Sequence, residues 1–109
     1  MSIQTIESMV RWIDNNITEN PTLESMSSHV GYSPYYCSSK FREYVGTTYK
    51  QYVAKCKLEA SVHLLVTSDD KIIDIAFNCG YSSSEALSRA FIKAYKCTPT
   101  QYRKQHCIL

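Results

Sequence analysis

The chain has too little glycine for a nucleotide-cradling loop: only three glycines and three prolines punctuate its 109 residues. No apolar run approaches the ~20 residues that span a bilayer, and the start of the chain lacks a signal-peptide pattern, so a cytoplasmic location and no membrane partner are expected. There is no nucleophile motif and no paired-carboxylate pattern, which argues against an enzyme and leaves no catalytic residue to name. Cysteine is plentiful at five, yet the number is odd and no C-x-x-C occurs. His29, His63 and His106 make no ligand spacing with the cysteines, so neither a metal nor another cofactor is expected. Cys37 and Cys79 stand at apolar positions, where a thiol serves as a small hydrophobe; Cys107 should be the most exposed. Acidic residues are also missing from one end. After Glu85 come only the bases Arg89, Lys93, Lys96, Arg103 and Lys104.

What is present is said twice. Gly31-Tyr32-Ser33 returns as Gly80-Tyr81-Ser82, preceded in each case by a short apolar pattern, Leu23/Met26/Val30 and Ile72/Ile75/Cys79, at an offset of 49. Beyond the turn the offset is 50: Cys37/Leu87, Phe41/Phe91, Thr48/Thr98 and Gln51-Tyr52/Gln101-Tyr102. A short helix, a glycine turn and a second helix, repeated, read as two helix-turn-helix modules. Such a module sets its second helix in a DNA major groove.

Seven helices and no strand are expected, an all-α fold of two helix-turn-helix subdomains, 1–47 and 68–109, joined by a long linker helix at 48–67. Ile3, Ile6, Val10, Ile13 and Ile17 mark the face of the first helix, which Asn20-Pro21 ends. Thr22 N-caps a second helix closed by Gly31, and Ser33-Pro34 starts a third that stops before Gly46. Thr48-x-x-Gln51 is a capping box opening the longest helix, with Tyr49, Tyr52, Val53, Cys56, Ala60 and Leu64 as its apolar face. A fifth helix runs from Ile72 to Gly80. Ser82-x-x-Glu85 reads as a second capping box for the sixth, and Thr98-Pro99-x-Gln101 caps the last. The long helix would rise roughly 28 Å. As a stiff spacer it would suit recognition helices in major grooves ~34–36 Å apart.

The charge follows the same division. Residues 1–39 hold one base, Arg11, against Glu7, Asp14, Glu19 and Glu24, whereas 40–109 hold eleven bases against six acids. A basic half is the footprint of phosphate contact.

The second half, Ile72-Ile-Asp-Ile-Ala76 … Gly80-Tyr81 … Leu87-x-Arg89-x-Phe91 … Thr98-Pro99-x-x-Tyr102-Arg103, resembles the signature of the AraC/XylS family of transcription regulators. The first half fits through Leu23, Gly31-Tyr32-Ser33, Phe41, Gly46 and Gln51-Tyr52, so the resemblance covers about residues 6–104. It implies a bihelical DNA-binding domain that reads an asymmetric site through two major grooves, commonly bends DNA and recruits RNA polymerase. It points to an activator, binding double-stranded DNA as a monomer, with RNA polymerase as second partner. The chain looks most like stand-alone members, or those with this domain first; no room remains for a sensor domain unless it is cut from a longer chain, and no small-molecule ligand is expected within it. Departures from the family are Cys37 and Ser39 for a usual Leu and Arg, Lys96 for a usual Gly, and Lys57 at a usual, structural Arg.

Arg89 is the first candidate for a base contact. Lying between core Leu87 and Phe91 it points outward, and its fork matches guanine O6 and N7. Ser84 and Glu85 stand in the first turn of the sixth helix, where Glu85 can accept from cytosine N4 or simply complete the Ser82 box. Tyr35, Ser38 and Ser39 line the exposed face of the third helix; Tyr35 can pack on a thymine methyl or remain a surface aromatic. Phosphate candidates are Lys40, Arg42, Lys50, Lys93, Arg103 and Lys104, with Ser33 and Thr98 at helix N-termini. The alternative function is a protein-interaction module of helix-turn-helix fold with weak or non-specific DNA binding. Ser39 in place of the usual Arg is the feature that favours it.

Overall fold

The computed structural model describes residues 3–106, and among these there are seven α-helices and no strand. They are α1 (Ile3–Asn15), α2 (Leu23–Val30), α3 (Pro34–Val45), α4 (Tyr49–Thr67), α5 (Ile72–Asn78), α6 (Ser84–Tyr95) and α7 (Pro99–His106), with a 3-10 turn at Ile17–Glu19. Cys107 lies outside the described residues. The chain divides into two compact units, the first ending at Cys56 and the second beginning at Lys57, so that the boundary falls inside α4.

In the first unit, Ile6, Met9 and Ile13 of α1 bury against Met26 of α2, Cys37 and Phe41 of α3 and Tyr49 of α4. α1 ends two residues short of Ile17. The Asn16 amide takes the Trp12 carbonyl at 2.8 Å, a 3-10 turn follows, and Asn20 adopts a left-handed conformation before Pro21. α2 begins as expected: the Thr22 hydroxyl accepts from the Ser25 N–H at 3.1 Å, and Gly31 closes the helix at φ 84°. Ser33 accepts from Tyr36 N–H at 3.1 Å to cap α3, whose first helical residue is Pro34, and Gly46 ends it at φ 91°. The Thr48–Gln51 capping box forms in both directions, each bond 3.1 Å.

The second unit repeats this scheme with its own core of Leu65, Ile75, Ala76, Cys79, Leu87 and Phe91. Cys79 is buried there as Cys37 is in the first. Thr98 and Gln101 form the same reciprocal box as Thr48 and Gln51, at 2.8 and 3.1 Å. Most telling is the aromatic pair at the heart of each unit. Phe41 meets Tyr52 edge-on at 5.5 Å and 70°, and Phe91 meets Tyr102 at 5.3 Å and 76°. Each phenylalanine is fully buried, worth roughly 2–3 kcal/mol over leaving it exposed.

Two expectations need correction. The first concerns the start of α6. Its N-cap is Ser83, whose hydroxyl accepts from Ala86 N–H at 3.1 Å, and not Ser82. The Ser82–Glu85 box therefore does not exist. The turn after Gly80 is one residue longer than the turn after Gly31, and this is the physical content of the offset changing from 49 to 50. The second concerns the face of α4. Its fully buried positions in the second unit are Ser61 and Leu65, while Leu64 and Ala60 only flank that core. The stripe Tyr49, Tyr52, Val53 and Cys56 does not continue in one register, because the two ends of the helix pack into different cores. Ser61 is tolerated at zero exposure because its hydroxyl donates to the Leu58 carbonyl at 2.6 Å.

Arg103, a phosphate candidate by its charge, has a structural occupation in this fold. From α7 its Nε donates to the Leu65 carbonyl (3.0 Å), Nη1 to that of Asp70 (2.7 Å) and Nη2 to that of Ser68 (3.2 Å). It thereby ties the last turn of α4, at Leu65, to the turn that follows it, at Ser68 and Asp70. Lys96, at the usual glycine, ends α6 in the left-handed region at φ 64°. Lys57 is half-buried, 5.7 Å from the Tyr81 ring centroid, and its ammonium pKa is lowered by burial, consistent with a structural role. No helix among the described residues is long and apolar enough to cross a membrane.

Two outcomes are expected. Arg103→Lys keeps the charge but loses the fork, so stability should fall by about 1–3 kcal/mol in urea unfolding. DNA affinity of the folded variant should stay within about twofold because the cation is kept, and an unchanged urea midpoint would overturn the structural role. The second concerns Tyr49, whose hydroxyl is shared between the carbonyls of Pro21 (2.9 Å) and Thr22 (3.1 Å). Burial pushes its pKa up to about 12, with Glu24 adding to the rise. An unfolded tyrosine ionises near 10. The folded state therefore holds the proton more tightly, and this contribution is complete below about pH 10 and is lost as pH rises to about 12. Tyr49→Phe should be less stable at pH 9 and show a shallower loss of urea midpoint between pH 9 and 11.5.

Candidate nucleic-acid interface

Burial fixes which side of each second helix is available. On α3, Cys37 and Phe41 point into the core, which leaves Tyr35, Ser38, Ser39 and Arg42 exposed on the far side. Tyr35 is 86% exposed, more than a packed surface aromatic requires. On α6, Leu87 and Phe91 are inward, and Glu85, Arg89, Ile92 and Lys93 are exposed on the opposite arc. At ~100° per residue, Glu85, Arg89 and Ile92 fall within about 60° of one another. Ser84, in the first turn, is half-buried, and its hydroxyl lies 3.5 Å from the Glu85 carboxylate.

The two faces correspond position by position at the offset of 50. Tyr35 matches Glu85, Ser38 matches Ser88, Ser39 matches Arg89, and Arg42 matches Ile92. Loss of the Ser82 box frees Glu85 from the capping role the sequence offered it. It sits instead at the second helical position, where a carboxylate also suits the positive end of the helix dipole.

The phosphate candidates are dispersed. Arg42 is exposed on α3 and Lys93 on α6, Lys50 is exposed in the first turn of α4, and Lys104 is exposed on α7. Ser33 and Thr98 both use their hydroxyl oxygens as caps, with Ser33 exposed and Thr98 half-buried. Lys40 is less available than its neighbours. Its ammonium is 3.1 Å from Glu43 Oε2 and 5.8 Å from the Tyr36 ring centroid, and the Glu43 hydrogen bond and charge raise its pKa.

Ile92 is a further exposed residue of this face that the sequence expectations do not include. Its signal was present: it stands seven residues after Glu85 and three after Arg89, on the arc otherwise given to polar groups. The four described cysteines add no reactive cluster to these faces. Cys37 and Cys79 are buried and Cys56 and Cys97 half-buried, and none of the four is in a disulfide. Burial raises the Cys79 pKa.

Comparison with known proteins gives this arrangement its family. Residues 26–105 match the family described as Helix-turn-helix domain. The regulatory protein SoxS of Salmonella typhimurium is 31% identical over 100 residues, covering 92% of this chain and 94% of that protein. The regulatory protein PocR of the same organism is 35% identical over 96 residues; these cover 88% of this chain but 32% of PocR, so the chain spans about a third of that relative's length. Among solved structures, a transcriptional regulator of the AraC-type DNA-binding domain-containing proteins from Chromobacterium violaceum superposes with a TM-score of 0.87 at 25% identity. That match covers 96% of this chain and 94% of that one. A capped, doubled helix-turn-helix core, the Thr-Pro-x-x-Tyr-Arg ending and these matches agree: the chain belongs to the AraC/XylS family of helix-turn-helix, DNA-binding transcription regulators.

Proposed function

We propose that the chain reads duplex DNA sequence-specifically as a monomer, with the outer faces of α3 and α6 each entering a major groove, and that it activates transcription in the cytoplasm by engaging RNA polymerase. The observation that carries this reading is Arg89, exposed on α6 between fully buried Leu87 and Phe91. A core residue on each side fixes the direction of that guanidinium, and a pre-aimed fork suits guanine O6 and N7. Arg89, Glu85 and Ser84 are the base-reading groups of the second module, and Tyr35, Ser38 and Ser39 those of the first. Arg42, Lys50, Lys93 and Lys104 take phosphates, with Ser33 and Thr98 at helix N-termini and Lys40 a weaker contributor because Glu43 holds it. The polymerase contact and the positive sign of regulation rest on the family resemblance.

The second module is the stronger reader. Short hydroxyls at Ser38 and Ser39 discriminate bases less than a bidentate arginine does. The same observation favours the other reading, a first module turned to protein contact, because Ser39 holds the position at which the second module has Arg89.

Selection from a random duplex library tests both. Two short elements about one helical turn apart are expected, and enrichment of a single element would restrict reading to one module. Arg89→Ala should weaken binding to the selected sequence by about 1–3 kcal/mol and relax preference at one guanine. Unchanged preference would remove Arg89 from its role. For four contacted phosphates, log K against log salt should fall with a slope near −3.6, that is about −0.9 per phosphate.

A further inference from the structure

The outer face of α6 carries an aliphatic side chain where the first module carries a cation. Ile92 is 47% exposed and belongs neither to the buried core of its unit nor to the half-buried shell around it. It is not placed there by packing: the inward positions of this helix are Leu87 and Phe91, both at zero exposure. By helical geometry Ile92 lies about 20° from Glu85 and about 60° from Arg89, on the side already assigned to base reading. Its counterpart at the offset of 50 is Arg42, also exposed. A guanidinium there can take a phosphate; an isoleucine cannot. The chemistry open to an aliphatic group on a groove-facing surface is apolar contact, and the major groove offers one apolar group, the C5-methyl of thymine.

We propose that Ile92 is a specificity-determining residue that packs on a thymine methyl group in the groove read by α6. This rests on the DNA-reading assignment of that helix and deepens it. The position of the thymine follows from spacing. Ile92 is three residues, about 4.5 Å, along the helix from Arg89, against roughly 3.4 Å per base step. The thymine therefore falls one or two base pairs from the guanine that Arg89 reads. The pairing also accounts for the asymmetry between the modules: Arg42 holds backbone where Ile92 reads sequence.

The test uses the full chain and the duplex recovered by selection. Arg89→Ala first locates the guanine. Each thymine within two base pairs of it is then replaced singly by deoxyuridine, which removes only the methyl group. The wild-type chain should lose about fourfold in affinity at one of these positions, the worth of one buried methyl. Ile92→Ala should bind the thymine duplex several-fold more weakly than wild type and should not distinguish thymine from uracil. Ile92→Val should fall between them. Because Ile92 is exposed, these variants should unfold at the wild-type urea midpoint. No uracil penalty within two base pairs overturns the proposal, as does a penalty that persists in Ile92→Ala. If folded wild-type protein selects no sequence at all, the DNA-reading assignment itself fails and this inference falls with it. Selection that succeeds without a thymine effect leaves that assignment standing and removes only Ile92.

Discussion

In each unit, one edge-to-face contact between a phenylalanine of the reading helix and a tyrosine of the following capped helix sets what the outer surface presents. Phe41 lies against Tyr52, and Phe91 against Tyr102, in nearly the same geometry. A helix can roll about its own axis at little cost unless one large side chain is locked in place. These rings supply the lock, and aromatic pairs of this kind add about 0.5–1.5 kcal/mol beyond the area they bury. Once Phe91 is fixed inward, Arg89, two residues earlier on a helix of ~100° per residue, is turned outward. The tyrosine partners are held in turn by the reciprocal Thr–Gln boxes that start α4 and α7. The outward direction of Arg89 and its neighbours is thus anchored by two caps and two rings on the inner side of each unit.

The sequence made much of this legible because repetition separates signal from accident. A single Gly-Tyr-Ser is ambiguous, but two of them at nearly constant offset to Phe, Thr, Gln and Tyr fix helix order, turn positions and core residues together. Boundaries failed where a neighbouring residue could play the same part. Ser82 and Ser83 are both good caps, and the Glu85 three residues after Ser82 favoured the wrong one. The shift of offset from 49 to 50 carried the answer, since the cap of α3 at Ser33 maps at 50 onto Ser83. The structural bonds of Arg103 were not legible for a different reason. Its partners are the backbone carbonyls of Leu65, Ser68 and Asp70, and backbone oxygens leave no trace in composition or spacing. Ile92 is not legible as a surface residue from its type alone, because an isoleucine in a helix reads first as core.

The two modules are structurally parallel and chemically unlike. Ser39 stands against Arg89, Arg42 against Ile92 and Tyr35 against Glu85, while the residues beneath them, Cys37 and Leu87, Phe41 and Phe91, remain of one kind. A conserved interior under a divergent exterior is what a fold needs when two copies of one frame are put to different uses. Cysteine in place of leucine at position 37 is a modest loss of apolar volume in the first module, and both side chains are completely buried.

α4 gives the molecule a property that neither unit has alone. Its first turns supply Tyr49, Tyr52 and Val53 to one core, and its later turns supply Leu58 and Leu65 to the other. The first of these stretches is the counterpart of α7, since Thr48, Gln51 and Tyr52 match Thr98, Gln101 and Tyr102. One rod therefore serves as the last helix of one unit and the first of the next. Helical stretches this short are marginal in isolation, because nucleation costs more than a few propagating turns return. Melting either core removes the tertiary support from the half of α4 that packs on it. Each half of α4 therefore owes its helicity to the core it feeds, and not to the length of the helix as a whole.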